Sequence, residues 1–288
     1  MFNGNRGYKY RRKFSLASNK FEGPLQLLPT DIAELHLQNN SLQGIIPQPN
    51  INKTLDILRV LDLSDNHFIG SIPDSLCSLQ MLVVLDLSNN QLSGRIPSCI
   101  GKLKTLGVLN LANNSLYGHI PISLAHLIDL QSLHLNRNNF TGMVPFSLRY
   151  LKKLEHLDLG NNGLEGIIPS WIGDELSRLR ILVLESNNFH GDISMCLCKL
   201  ASLQVLNLKD NNLTGHIPRC FNNFTATTLT ELDSIGIYFL NSSYFAVDDS
   251  EELSLFIKGG MLNYTSSNVP YVRFMGLSGN KLDRKSVV

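Results

Sequence analysis

The chain has no stretch of about 18 or more apolar residues, so nothing in its 288 residues reads as a membrane-spanning helix. Its opening segment, 1–13, is polar and basic (Arg6, Lys9, Arg11, Arg12 and Lys13) and lacks the apolar centre of a secretory signal. Apart from that cluster, which reads as a solvated leader outside the repeats, charge of either sign is dispersed. With 25 Lys and Arg against 24 Asp and Glu the net charge is +1, and no basic stripe suited to nucleic acid exists. Catalytic signatures are missing too: there is no Walker loop, kinase set, His-Glu-x-x-His or Gly-x-Ser-x-Gly. Cysteine is scarce, at five, and Cys196-x-Cys198 has neither the spacing nor the nearby histidine of a zinc site. No enzyme, no metal and no cofactor are expected.

What is present is one sentence written nine times. Its clearest copy reads Leu-x-Leu-x-x-Asn-x-Leu-x-Gly-x-Ile-Pro, at Leu85, Leu87, Asn90, Leu92, Gly94, Ile96 and Pro97. The asparagine recurs at Asn19, Asn40, Asn66, Asn90, Asn114, Asn138, Asn162, Asn187 and Asn211, with the most regular copies 24 residues apart. A fixed period in this range defines a solenoid, whose stacked coils share one continuous core and present one long surface instead of an enclosed pocket. The chain is therefore read as a binder.

Each copy explains itself physically. Leucines at i and i+2 point to one side of a short strand, and their neighbours point to the other. Strands of successive coils pair in parallel at about 4.8 Å, so the leucines fill the coil while Asp86, Ser88 and their equivalents line a concave outer face. The chain then turns while still packed, and a buried orphan backbone group costs roughly 1–3 kcal/mol. An asparagine amide offers two donors and an acceptor to such groups, so a structural ladder of stacked asparagines is expected. The glycines at 44, 70, 94, 118, 142, 166, 191 and 215 allow a special backbone angle or close approach of coils. Ile-Pro ends the segment, because proline cannot donate to a ladder. Strand, turn, short extended segment and partly helical return complete the repeat.

The full pattern Leu-x-x-Leu-x-x-Leu-x-Leu-x-x-Asn-x-Leu-x-Gly-x-Ile-Pro resembles the plant-specific class of leucine-rich repeat. That resemblance implies an α/β leucine-rich-repeat solenoid: a curved right-handed superhelix with a parallel β-sheet on its concave face and short 3-10 or extended segments on the convex side. It also implies an extracellular receptor ectodomain. The repeats cover 14–218. A further in-register asparagine, Asn280, follows only after 69 residues, so one period plus about 45 extra residues intervene. Ile217 to Phe224 resembles the entry, and Glu252 to Gly260 followed by Tyr264 the exit, of the island found in plant receptor-like proteins. The insertion is placed at 219–271, with Lys258, Gly259 and Tyr264 as its candidate functional residues, and a truncated tenth repeat and tail at 272–288. Against that family the chain lacks a signal segment, a cysteine-bearing cap and a membrane span, and it is expected to be a fragment of such a receptor.

In repeat register, Cys77 lies 11 residues after Asn66 and Cys99 lies 9 after Asn90; Cys198 and Cys220 repeat those offsets after Asn187 and Asn211. Neighbouring coils fall within the Cα separation a disulfide needs. Cys77–Cys99 and Cys198–Cys220 are therefore expected, in an oxidising compartment, with Cys196 left over. Eight Asn-x-Ser/Thr sequons, at Asn39, Asn52, Asn113, Asn139, Asn212, Asn223, Asn241 and Asn263, support secretion and are candidate glycosylation sites.

The candidate ligand-binding residues are the outward positions nearest the insertion: His134, Arg137, His156, Asp158, Glu185, Lys209 and Asp210. They are expected to form, beside the insertion, one continuous docking surface of mixed charge, the bland alternative for any single residue being a solvated polar face; His134 and His156 could approach each other but are expected to hold no metal. The reading is a ligand-binding segment of a plant cell-surface receptor-like protein, in defence or development. Its partners would be a peptide, protein or glycan ligand and a receptor kinase or co-receptor, with the membrane reached only through a span absent from this chain. Two alternatives stay open: a secreted inhibitor of a microbial wall-degrading enzyme, and a non-functional truncated fragment.

Overall fold

Leucines two apart, repeated at a near-constant interval, dictate the first layer. A computed structural model of the chain describes residues 13–29, 31–49, 57–223, 252–257, 260–265 and 274–283. Ten three-residue strands form one parallel sheet in strict sequence order: Lys13–Ser15, Glu34–His36, Val60–Asp62, Val84–Asp86, Val108–Asn110, Ser132–His134, His156–Asp158, Ile181–Val183, Val205–Asn207 and Phe274–Gly276. Register is kept from coil to coil, with Leu61 opposite Leu85, Leu85 opposite Leu109 and Leu133 opposite Leu157. Those leucines are fully buried in one apolar core that runs from Leu28 to Phe221.

The short extended segment after each turn does more than the sequence suggested. It pairs with its neighbours into a second, nine-stranded parallel sheet, from Glu22–Pro24 to Asn212–Thr214. The glycine at or next to the end of each of these strands has φ between +70° and +92° across the repeats, a backbone angle that a side chain resists. The return is a single 3-10 turn in six copies, from Asp74–Ser78 to Arg219–Asn223, each introduced by a proline or serine in extended conformation where its cap is described. One copy differs. Between Asn162 and Asn187 the period is 25 residues, and the added residue is accommodated by an α-helical turn, Trp171–Glu175, with Asp174 N–H donating to Ser170 O at 3.2 Å. Gly173 in that turn faces the next coil so closely that a Cβ would sit 1.9 Å from Cys196 O.

The asparagine ladder is present. In Asn114, Nδ2 donates to Leu111 O, Ala112 O and, in the preceding coil, Leu87 O at 3.0–3.3 Å, while Oδ1 accepts Leu92 N–H at 2.9 Å. Each such amide stitches two coils together. Asn280 does the same across the insertion, donating to Leu208 O at 2.8 Å and accepting Leu213 N–H at 3.0 Å. The tenth coil thus stacks directly on the ninth. Within the inserted stretch the described residues form an antiparallel pair, Glu252–Ile257 with Gly260–Thr265, in which Tyr264 stands opposite Leu253. Lys258 and Gly259, between these strands, lie outside the described residues.

Cys77 is bonded to Cys99 and Cys198 to Cys220, each pair with Cα atoms 5.8 Å apart, and Cys196 is free. No helix among the described residues is long and apolar enough to cross a membrane.

Candidate functional site

The outward positions of the concave strands converge on one groove of about 640 Å³. Its lining runs through eight successive coils, from Ser18 and Asn39 at one end to Asp158 and Glu185 at the other. His134, Arg137, His156, Asp158 and Glu185 all line it. Lys209 and Asp210 lie one coil beyond, half-buried and exposed respectively, and do not.

Two of the seven depart from a solvated face. His134 is 7% exposed and Asp158 8%, because strands one coil apart leave no room for water between short polar side chains. Burial dominates the electrostatics that follow. It pulls His134 down to about 4 and pushes Asp158 up to about 7. It also holds His156 well below its ordinary value, with His134 adding to the effect. Both imidazoles are therefore neutral at pH 7. Their rings meet edge to face with centroids 4.1 Å apart. Ser132 Oγ lies 2.6 Å from His134 Nε2, and Gly160 N–H donates to Asp158 Oδ1 at 3.0 Å. His156 Nε2 is buried with no hydrogen-bond partner among the described residues, a loss of roughly 1–3 kcal/mol if nothing offsets it.

The third and fourth of these coils carry an acidic pair that sequence reasoning did not single out. Asp62 and Asp86 stand opposite each other across adjacent strands, and Asn110 Nδ2 donates to Asp86 Oδ2 at 2.9 Å. Their shared position in the repeat, the one that holds His134 and Asp158, was the available signal.

A second feature was also legible and missed. The residue before each ladder asparagine has φ of 51–56°: Ser18, Asn39, Asp65, Asn89, Asn113, Arg137, Asn161, Ser186 and Asp210. Most are Asn, Asp or Ser, whose short polar side chains tolerate this left-handed region. Arg137 is the exception, and it presents an exposed guanidinium at the rim of the groove. The sequons Asn39 and Asn113 belong to this column and line the groove, with Asn113 Nδ2 donating to Asn89 Oδ1 at 2.8 Å. Asn139 and Asn212 are exposed at the start of the second sheet, away from the groove lining. Asn52 and Asn241 lie outside the described residues; Asn223 closes the last 3-10 turn and Asn263 sits in the strand Gly260–Thr265.

A stacked-coil solenoid with an asparagine ladder and an open polar groove defines a repeat-built recognition scaffold. The family model for leucine-rich repeat regions matches residues 40–244, and the chain belongs to that family. Among solved structures it is similar to the ectodomain of the Arabidopsis receptor kinase HAESA bound to an N-terminally extended IDA peptide hormone. The two are 34% identical with a TM-score of 0.67, over 72% of this chain and 35% of that one. The plant peptide hormone receptor RGFR1, in complex with RGF2, gives 31% identity and a TM-score of 0.66 over 72% of this chain and 33% of that one. A plant ice-binding protein gives 28% and 0.56, over 71% and 74%. The chain spans about a third of the length of the two receptor ectodomains. No curated protein matches the sequence.

Proposed function

We propose that the chain is a ligand-binding segment of a plant cell-surface receptor, taking an extended peptide along its concave groove on the extracellular side and signalling through a partner receptor kinase. The observation that carries this reading is the groove itself, continuous through eight coils and long enough for an extended chain. Its chemistry suits a peptide: Asp62 and Asp86 in the third and fourth coils, Arg137 and Glu185 in the sixth and eighth, and amide side chains along the groove to meet backbone groups. Support comes from the similar peptide hormone receptor RGFR1, described in complex with RGF2, and from HAESA, described with the peptide hormone IDA and the co-receptor SERK1. Lys258, Gly259 and Tyr264 of the insertion are proposed as further ligand contacts. The two disulfides and the exposed sequons Asn139 and Asn212 fit an oxidising, glycosylating route to the cell surface.

The test is a display selection of random peptides on the immobilised chain, followed by affinity measurement of a selected peptide. Arg137→Ala and Glu185→Ala in the groove should each weaken it by more than about 1 kcal/mol. Lys104→Ala and Lys152→Ala, on the convex side, should change it by less than about 0.5 kcal/mol. Equal losses on both faces would refute the concave assignment.

A further inference from the structure

We propose that His134, His156 and Asp158 form a binding site for one divalent transition-metal ion of the zinc class. One ligand atom from each side chain lies within 4.8 Å of the other two, and this is the one such group of three His, Cys, Asp or Glu residues among the described residues. No spacing motif announces it, because the residues come from two coils. Parallel register sets His134 opposite Asp158 and Ser132 opposite His156, which brings the second imidazole in diagonally.

The repeat itself marks the cluster as a departure. The position of Ser132 and His156 is occupied in neighbouring coils by Val60, Val84, Val108, Ile181 and Val205. An apolar stripe is thus broken by an imidazole at the point where a second imidazole and a carboxylate converge. A buried nitrogen on His156 has no protein partner among the described residues, so a metal would supply one. The other two ligands are already braced, His134 by Ser132 and Asp158 by the Gly160 amide, as outer contacts brace metal ligands.

Two imidazole nitrogens and one carboxylate oxygen suit Zn²⁺, whereas Ca²⁺ and Mg²⁺ take all-oxygen sets. Three protein ligands beside an open groove leave a fourth position for water or a ligand group. This revises the expectation, drawn from spacing alone, that these histidines hold no metal. It stands on the cluster's geometry whether or not a peptide docks in the groove.

The experiment is calorimetric titration of the chelator-treated chain with ZnCl₂, in a Cys196→Ser background that removes the free thiol. One zinc per chain is expected. His156→Asn and Asp158→Asn should each weaken it by at least about tenfold, since loss of even an outer-shell partner costs roughly 10–100-fold. CaCl₂ should bind far more weakly. The unmodified chain gives a readout independent of those variants: in nitrogen-15 histidine spectra, one equivalent of ZnCl₂ should shift the ring signals of His134 and His156 and leave His119, His126, His190 and His216 in place. Absence of saturable zinc binding, unchanged binding in the variants, calcium binding of equal strength, or shifts confined to the other histidines would overturn the proposal.

Discussion

Two aspartates facing each other across neighbouring strands set the behaviour of the groove at the scale of single residues. Burial, and then the charge of Asp86, push Asp62 up to about 7, while the Ser64 hydroxyl and amide donate to its Oδ1 at 2.7 and 3.0 Å and pull it back. Burial raises Asp86 as well. A carboxyl raised on folding holds its proton more tightly in the folded than the unfolded chain. The stability it contributes is full below the unfolded value of 3.8 and is lost as pH rises through about 7. His134 works in the opposite sense: its contribution is full above 6.5 and is lost as pH falls through about 4. Asp62→Asn isolates the first effect, because an amide oxygen can still accept from Ser64. The variant should melt higher than the parent at about pH 8, by a few kcal/mol at most at about 1.4 kcal/mol per pKa unit. The difference should vanish by about pH 4. A gain independent of pH in thermal melts would contradict a buried ionisable pair.

At the scale of the element, the coil is what the sequence states most clearly. The leucine pair, the ladder asparagine and the two cysteine pairs each follow from a fixed offset, because their physical roles repeat unchanged from coil to coil. Two things were not legible. The second sheet forms because Ser115–Gly118 and its equivalents find hydrogen-bond partners in neighbouring coils, a long-range fact that a period-2 pattern of one short segment does not carry. The α-turn at Trp171–Glu175 needed the packing of Gly173 against Cys196 as well as the longer period. The ladder gives a sharp prediction. Asn114→Ala removes three donor contacts and one acceptor, two of the four reaching the preceding coil; the carbonyls of Leu87, Leu111 and Ala112 keep the Asn90 amide, the Asn138 amide and the Asn89 N–H, so the Leu92 N–H is the group left unpaired. It should cost roughly 1–3 kcal/mol in urea unfolding, the cost of one orphaned buried donor. Asn212→Ala, an exposed site two residues from the turn, should stay within about 0.5 kcal/mol. Equal costs would mean the ladder does not hold the coils together.

The whole molecule turns these repeated units into a function by variation at fixed positions. Leucines inside are invariant in role, while the outward position after the first strand leucine reads Asp62, Asp86, Asn110, His134, Asp158, Val183 and Asn207 along the sheet. Register alone told which residues point outward, and five of the seven singled out line the groove, while Lys209 and Asp210 lie beyond it and Asp62 and Asp86 were missed. Their burial was not readable, because it depends on the distance between coils. Register also survives the insertion, since Phe274–Gly276 pairs with Val205–Asn207 as if the intervening residues were absent. The most direct test of concave recognition is photo-crosslinking. A benzophenone side chain placed at Glu185 in the groove, or at Lys104 on the convex side, would be irradiated with a display-selected peptide. Capture of the peptide from Glu185 and none from Lys104 is the expected result; capture from Lys104 alone, or from both positions equally, would contradict the groove as the recognition surface.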